Sequence, residues 1–288
     1  MDEREALRRL ASHLPHAGDD AAVVDNLVVT TDMLHETTDI PEGTTAYTAG
    51  WRSVGVSLSD VAAMGAEPVA AVAAYGAPLF EWDDIASFVD GARAVCRNAG
   101  GEYVGGDLDR HDEFTVTTTA IGRTETPVFR SGATPGEAVC VTGTLGRSAL
   151  ALELFQRGEH DRANELFRFE PRTEAGRILG QEATAMIDSS DGLARSLHQL
   201  SAASDCGFAL ESPLPIDDEL TGVFPDEDER RERGLFFGED FELVCTLPES
   251  AVSRLDAGLS VSLMRIGTVT ETGVTLDGEP LEDRGYTH

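Results

Sequence analysis

Two periodicities of apolar residues alternate along the chain. Ala21–Val24 and Leu27–Thr31 are short runs rich in β-branched residues on either side of Asp25-Asn26, which predicts two strands joined by a tight turn, with Asp32 at the end of the second. Between Trp51 and Met64, Val54, Leu58 and Val61 recur at helical spacing, and Gly65 and Pro68 stop that helix. Ser53, Ser57 and Asp60 line a neighbouring face of it. Val69–Tyr75 reads as an apolar strand, Glu81–Asn98 as an amphipathic helix, Tyr103-Val104 as a short strand and Phe114–Ile121 as a strand rich in Thr and Val. A first helix is expected over Met1–Leu14.

The run Arg130–Gly136, RSGATPG, gathers turn-forming residues between two strand-like segments and marks a boundary. At 288 residues the chain can bury two cores. We therefore expect a first domain over 1–130 and a second over 131–288. The second half reads as strand (Ala138–Thr142), helices, strand (Ala185–Ile187), helix (Ser190–Ala203) and strand (Phe241–Thr246). Both halves mix helix and strand, so the expected class is α/β (α+β), two mixed α/β domains. Pro225–Gly234 is charged throughout and predicts an exposed helical turn or loop. No fixed-period repeat is present, which disfavours solenoids and propellers.

Charge narrows the partners. The formal net charge is −30, and all 22 basic residues are arginine, with no lysine. Such a surface repels nucleic acid and anionic membranes, because both bind through basic clusters. It suits a salt-rich cytoplasm, where screening removes the self-repulsion. With 41% hydrophobic residues and clear periodicity, the chain is globular rather than disordered. The four cysteines are far apart and form no C-x-x-C pair, so they suggest neither zinc nor disulfides. The N-terminal segment lacks the apolar core of a signal peptide, and no run approaches the roughly 20 apolar residues of a membrane span. The expected location is the cytoplasm.

Chemistry concentrates in five short motifs: Gly18-Asp19-Asp20-Ala21, Thr30-Thr31-Asp32, Ser57-Leu58-Ser59-Asp60, Gly105-Gly106-Asp107 and Asp188-Ser189-Ser190-Asp191-Gly192. Singly, each is also what turns and helix caps use, and Asp109 and Asp112 are left to that role. Asp60 is different, because it sits in an apolar helix where an unpaired carboxylate is costly. With no lysine and few arginines near these motifs, a divalent metal is the economical partner. Carboxylate and hydroxyl oxygens suit Mg2+, which also bridges phosphate oxygens. Several Mg2+ ions would be needed before so many aspartates could accept a nucleotide triphosphate. A lysine-free chain cannot form a P-loop, and Gly100–Gly106 lacks dinucleotide-binding spacing. The seven histidines show no H-E-x-x-H and no pairing with a nucleophile. A phosphate monoester acceptor would need no general base, since its second pKa of about 6 leaves it ionised at neutral pH.

In order, GDDAAVV, TTDM, SLSDVAAMGAEP, GGD, RSGATPGE, IDSSDGL and GEDFEL resemble the thiamine-monophosphate kinase family, within the aminoimidazole ribonucleotide synthetase superfamily. The likeness runs from Gly18 to about Leu243. It implies two superfamily-type domains and a homodimer formed through the N-terminal sheet. The implied reaction is direct transfer of the ATP γ-phosphoryl to thiamine monophosphate with Mg2+ and no covalent intermediate. Asp20, Thr30, Thr31, Asp32, Asp60, Asp107, Asp188 and Asp191 match the family's metal positions, with Asp32, Asp107 and Asp191 in the catalytic role. Gly106, Arg130 and Ser190 match its ATP contacts. Arg130 also suits bidentate phosphate binding, or an interdomain ion pair.

Glu239 corresponds to a substrate contact, where a carboxylate can hold the cationic thiazolium or the aminopyrimidine. Two further substrate positions depart from the family pattern. Asp39 stands where many relatives have histidine, and Asp283 where an aromatic residue covers the substrate. Selenophosphate synthetase and the hydrogenase-maturation dehydratase lack support, because their reactive cysteines are absent here. An aminoimidazole ribonucleotide synthetase-like enzyme and a non-catalytic nucleotide or thiamine-phosphate sensor remain the alternatives.

Overall fold

The computed structural model describes residues 6, 9, 10, 13, 14 and 16–286. The helix expected over Met1–Leu14 lies mostly outside the described residues. The first half builds a sheet from β1 (Ala22–Val24), β2 (Leu27–His35), β3 (Glu67–Ala77), β4 (Glu102–Arg110) and β5 (Thr115–Arg123), in the order β1-β2-β5-β3-β4. All pairs are antiparallel except β3–β4, which are parallel and joined through a helix. Between these strands run the one-turn helix α1 (Glu36–Asp39), α2 (Ala46–Ala63) and α3 (Trp82–Ala99). Val54, Leu58, Val61, Phe88, Val95, Val28, Leu34 and Val116 form the core between the two long helices and one sheet face.

Glycines bring α2 and α3 unusually close. A Cβ on Gly50 would lie 2.0 Å from the Phe88 carbonyl oxygen, and one on Gly91 2.0 Å from that of Tyr47. Here backbone contact outweighs the helix propensity that glycine forfeits.

Residues 124–137 carry no helix or strand, and the expected division at 130/131 falls inside them. Beyond come β6 (Ala138–Thr142), α4 (Arg147–Gln156), α5 (His160–Phe167), α6 (Thr173–Leu179), β7 (Ala185–Asp188), α7 (Leu193–Ser204), β8 (Gly207–Leu210), α8 (Glu227–Phe236), β9 (Leu243–Leu247), α9 (Glu249–Asp256), β10 (Leu263–Thr270), β11 (Val274–Leu276) and β12 (Glu279–Pro280). Their seven-stranded sheet runs β12-β11-β8-β10-β6-β9-β7. One face packs on α7 through Leu193, Leu197 and Leu200. The other carries Cys140, Met186, Leu243 and Cys245 against α6 and α9, and against Ala62 and Ala63 of α2. The four cysteines are free and buried, the expected apolar role. Among the described residues no helix is long and apolar enough to cross a membrane.

Several elements differ from expectation. β2 runs on to His35, so Asp32 is a mid-strand residue. β4 is nine residues long, so Gly105-Gly106-Asp107 lies within a strand rather than after one. Glycine's poor strand propensity hides this, yet a Cβ at Gly106 would sit 1.7 Å from the Ala73 oxygen. The charged run becomes α8, started by Asp226, whose side chain accepts from Glu229 N–H. The helix expected from Ser190 begins at Leu193, after a turn.

α2 therefore packs against both domains. A Cβ on Gly176 of α6 would meet the Ala62 oxygen at 2.2 Å, and one on Gly55 would touch Phe169 at 3.1 Å. Gly91→Ala and Gly176→Ala are expected to destabilise the protein by about 1–3 kcal/mol each, because overpacking against backbone outweighs the helical gain from alanine. Thermal melting in molar KCl checks this: the melting temperature should fall by several degrees, and a rise would show that these helices have room to move apart.

Candidate active site between the two domains

Strand alternation selects which side chains of β2 face α2. Thr30 and Asp32 point toward it, and Thr31 and Met33 toward the uncovered sheet face. Thr30 Oγ1 donates to Asp60 Oδ2 at 2.5 Å, and Ser57 Oγ donates to Asp32 Oδ2 at 2.6 Å. The helix face marked by Ser53, Ser57 and Asp60 is thus the one that meets β2. From the second domain, the end of β7 supplies Asp188. Its Oδ2 accepts from Ser59 Oγ at 2.6 Å, and its Oδ1 accepts from Ser190 Oγ at 2.6 Å and Ser190 N–H at 3.1 Å. The segment before β1 supplies Asp20.

Carboxylate oxygens of Asp20, Asp60 and Asp188 all lie within 4.8 Å of one another. Burial, together with the charges of Asp32, Asp188 and Asp20, pushes the Asp60 carboxyl well above the usual carboxylate range, although Thr30 opposes this. Burial and Asp20 push Asp188 up to about 6, against the bonds from Ser190 and Ser59. Among the described residues, Asp20 is the member of this trio that has a cationic side chain on it. Arg130 reaches its Oδ1 through Nη2 at 3.0 Å and its Oδ2 through Nε at 3.3 Å, while Arg130 N–H donates to Asp19. The expectation that no side chain would neutralise these acids therefore fails for Asp20. The three oxygens remain an oxygen-only donor set with unbalanced negative charge, which is what a hard divalent cation requires.

Of the expected ligands outside this trio, Asp32 and Asp191 border a neighbouring cavity, and Thr31 and Asp107 lie away from the trio within one chain. Thr31 is exposed on the other face of β2, its hydroxyl donating to the Thr118 oxygen at 2.9 Å. Asp107 lies on edge strand β4, in the row Met33, Thr117, Ala74, Asp107 that crosses four strands. Three strand spacings put it roughly 14 Å from β2. Beside it, Ala73, Tyr75, Ile85, Phe88, Tyr103 and Gly106 border a cavity of about 620 Å³ between α3 and the sheet edge.

A smaller cavity, about 140 Å³, lies next to the acidic cluster and is lined by Asp32, Asp39, Ser190, Asp191, Glu239 and Phe241 among others. Asp39 is buried and accepts from His35 N–H at 2.8 Å and Thr38 Oγ1 at 2.7 Å. Asp191 accepts from Gln199 Nε2 at 3.0 Å. Asp283 stands apart, 3.5 Å from Arg195 Nε. In the C-terminal segment the aromatic residue that reaches these acids is instead Tyr286, three positions further on. Its N–H donates to the Asp191 oxygen at 3.0 Å, and its phenol is pushed up by burial and by the charges of Glu239 and Asp39. Position counting missed it because the C-terminal segment has no regular structure to fix its register. The other residue missed is Arg52 of α2, fully buried, with Nη2 2.5 Å from Glu239 Oε2. An arginine amid the apolar run of that helix was the available signal.

The motif around Glu239 assigns its acids separate tasks. Asp240 accepts from Gly146 N–H at 2.6 Å and Ser148 N–H at 2.9 Å at the start of α4. Burial pushes it up to about 7 despite those bonds. Glu242 takes a two-pronged ion pair from Arg172, at 2.7 and 2.5 Å, and a bond from Thr142. Glu239 is left at the cavity.

Comparison with known proteins identifies the family. Residues 18–124 match the AIR synthase related protein family, N-terminal domain, and residues 134–278 its C-terminal domain. The thiamine-monophosphate kinase of Halobacterium salinarum is 58% identical over 291 residues, covering 100% of both chains. The crystal structure of thiamine-monophosphate kinase from Stenotrophomonas maltophilia is 32% identical with a TM-score of 0.83, covering 96% of each chain. The structure of AaThiL complexed with AMPPCP and TMP is 28% identical with a TM-score of 0.92, covering 100% of this chain and 97% of that one. Together with two mixed α/β domains and an aspartate cluster between them, these matches show that the chain belongs to the thiamine-monophosphate kinase family.

Proposed function

We propose that the protein transfers the terminal phosphoryl group of ATP in line and directly to the phosphate of thiamine monophosphate, as a Mg2+-dependent homodimer. The observation that carries this is the juxtaposition of the Asp20, Asp60 and Asp188 oxygens with a cavity bearing Asp39, Ser190, Asp191 and Glu239. The acceptor phosphate is already ionised at neutral pH and needs orientation rather than deprotonation. The cytoplasm, where ATP is available, is the compartment this reading implies.

Asp20, Thr30, Asp32, Asp60, Asp188 and Asp191 would hold Mg2+. When bound, the metal would supply positive charge that offsets the repulsion between the aspartates and the phosphates and the charge developing on the transferring group. Arg130, already seated on Asp20, is within reach to exchange that carboxylate for a phosphate oxygen, a bidentate partner of the same geometry. Ser190 presents its backbone and hydroxyl donors beside Asp188. Gly106 borders the larger cavity, whose Tyr75, Phe88 and Tyr103 walls suit a nucleotide base. Glu239 and Asp39 would take the cationic and amino groups of the acceptor, with Tyr286 rather than Asp283 as its aromatic cover.

Thr31 and Asp107 fit this scheme through a second copy. Both belong to the sheet whose uncovered face exposes Met33, Val72 and Val104, an apolar surface suited to burial against itself. One chain cannot bring Thr31 and Asp107 to one ion, whereas Asp107 of the partner subunit can approach Thr31, the neighbour of Asp32 in sequence, across that face.

Purified protein in molar KCl with Mg-ATP and thiamine monophosphate should give thiamine diphosphate and ADP in equal amounts. ADP with inorganic phosphate and no thiamine diphosphate would overturn the assignment. Asp32→Asn and Asp107→Asn should each abolish turnover while the protein stays folded, and refolding the two dead variants together should restore about a quarter of wild-type activity, since half the dimers are mixed and each has one intact site. No recovery would mean that each site is built from one chain.

Metal and protons should compete. Asp188 and Asp240 have native pKa values of about 6 and about 7 against 3.8 for an unperturbed group, so the native state holds more protons across that window. Stability of the metal-free protein should accordingly fall as pH rises from about 4 to about 7. The increase in melting temperature caused by Mg2+ should do the reverse, shrinking as pH drops below about 6, because binding needs ionised carboxylates. Melting curves with Mg2+ and with EDTA across this range measure both slopes.

A further inference from the structure

Glu239, one of the acids that line the smaller cavity, is paired with a cation that belongs to the other domain. Arg52 is completely buried in α2. Its guanidinium lies 3.7 Å above the Phe167 ring and 5.4 Å from those of Phe169 and Phe241. Nη1 donates to the Phe167 oxygen at 2.9 Å, Nη2 donates to Glu239 Oε2 at 2.5 Å, and Nε has no hydrogen-bond partner among the described residues. An aromatic cradle of this kind fixes the plane of the guanidinium, and with it the direction of the donor that meets Glu239.

The backbone around Glu239 is fixed mainly by groups other than Arg52, whose Nη2 donates only a long bond, 3.4 Å, to the Glu239 oxygen. Gly238, Glu239 and Phe241 all adopt left-handed φ angles of 80°, 62° and 55°. Glu239 N–H donates to the Ser190 oxygen at 2.7 Å, Ser148 Oγ donates to the Glu239 oxygen at 2.5 Å, and Phe241 stacks on Phe169 at 4.1 Å. A non-glycine residue in this region is held by such surroundings rather than by its own preference. The distinctive contribution of Arg52 is therefore to the side chain. Left alone, the Glu239 carboxylate would be repelled by Asp32, Asp39 and Asp191 and drawn toward any metal ion among them.

We propose that Arg52 is a positioning residue that reserves the Glu239 carboxylate for the organic part of the acceptor, holding one oxygen and leaving the other to face the cavity. This rests on the reading of thiamine monophosphate as the acceptor. It predicts a separation between the two substrates, because Arg52 touches neither the acidic cluster nor the cavity beside Gly106.

The experiment is steady-state kinetics of the full-length protein, varying thiamine monophosphate and Mg-ATP in turn, on wild type, Arg52→Met, Arg52→Lys, Glu239→Gln and the double variant Arg52→Met/Glu239→Gln. Arg52→Met should raise the KM for thiamine monophosphate about tenfold or more, with the KM for ATP changed less than about twofold. Arg52→Lys, which keeps one charged donor, should lie between. The double variant should be no worse than the poorer single variant, because both act through one contact. If Arg52→Met does not fold, the double variant leaves no lone buried charge, and Arg52→Lys keeps the comparison open. An active wild type whose Arg52 variants leave the acceptor KM unchanged, or raise both KM values alike, overturns this inference alone. A wild type that forms no thiamine diphosphate overturns the functional reading and this inference with it.

Discussion

Three carboxylates from distant parts of the chain are pressed together, and much of the architecture exists to hold them there. Asp20 precedes the first strand, Asp60 lies near the end of α2 and Asp188 ends β7 in the second domain, yet their oxygens fall within 4.8 Å. Mutual repulsion in a partly desolvated place works against folding, and the raised Asp60 and Asp188 carboxyls register that opposition. Local hydroxyls from Thr30, Ser59 and Ser190 and the fork of Arg130 reduce it without cancelling it. The residual field is useful only if cations are recruited, so the strain is confined to the place where a charged ligand can relieve it.

α2 supplies the lever. It sets Ser57 and Asp60 against β2, Ser59 against Asp188, and Arg52 against Glu239, so one rigid helix fixes side chains that answer to two sheets. A site built on helix and strand is held to closer tolerance than one on loops. The second domain anchors its loop at Gly238–Phe241 in turn, with Asp240 on the start of α4 and Glu242 on Arg172. Charge is thus sorted by position: some acids are satisfied by backbone or arginine, and a remainder is left for ligands.

Much of this was legible in the sequence, for reasons that can be named. The helix over Trp51–Met64 and the strands flanking Asp25-Asn26 follow from spacing alone, and Asp60 stood out as a charge in an apolar helix. Ordered short motifs carried the family. What escaped depended on long-range geometry. Which face of β2 is covered decides that Thr30 turns inward and Thr31 outward, and nothing local to those two threonines encodes it. β4 looked short because glycine scores poorly in strands, although close approach to Ala73 demands it there. Tyr286 and Arg52 gained meaning only when the C-terminal segment and the Glu239 turn were folded back onto the site. β8, β11 and β12 are only two to four residues long, too short to show a period, and the sheet itself completes them.

The double allegiance of α2 bears on how such a chain can diversify. Ala62 and Ala63 are core residues of the second domain although they lie within the first, and Gly176 of the second domain fits only against the first domain's backbone. A recombination crossover placed in the linker would look harmless on a sequence map, yet it would part surfaces that have been shaped to one another. The two halves of this chain, although each carries its own family signature, are accordingly fitted to one another as a matched pair.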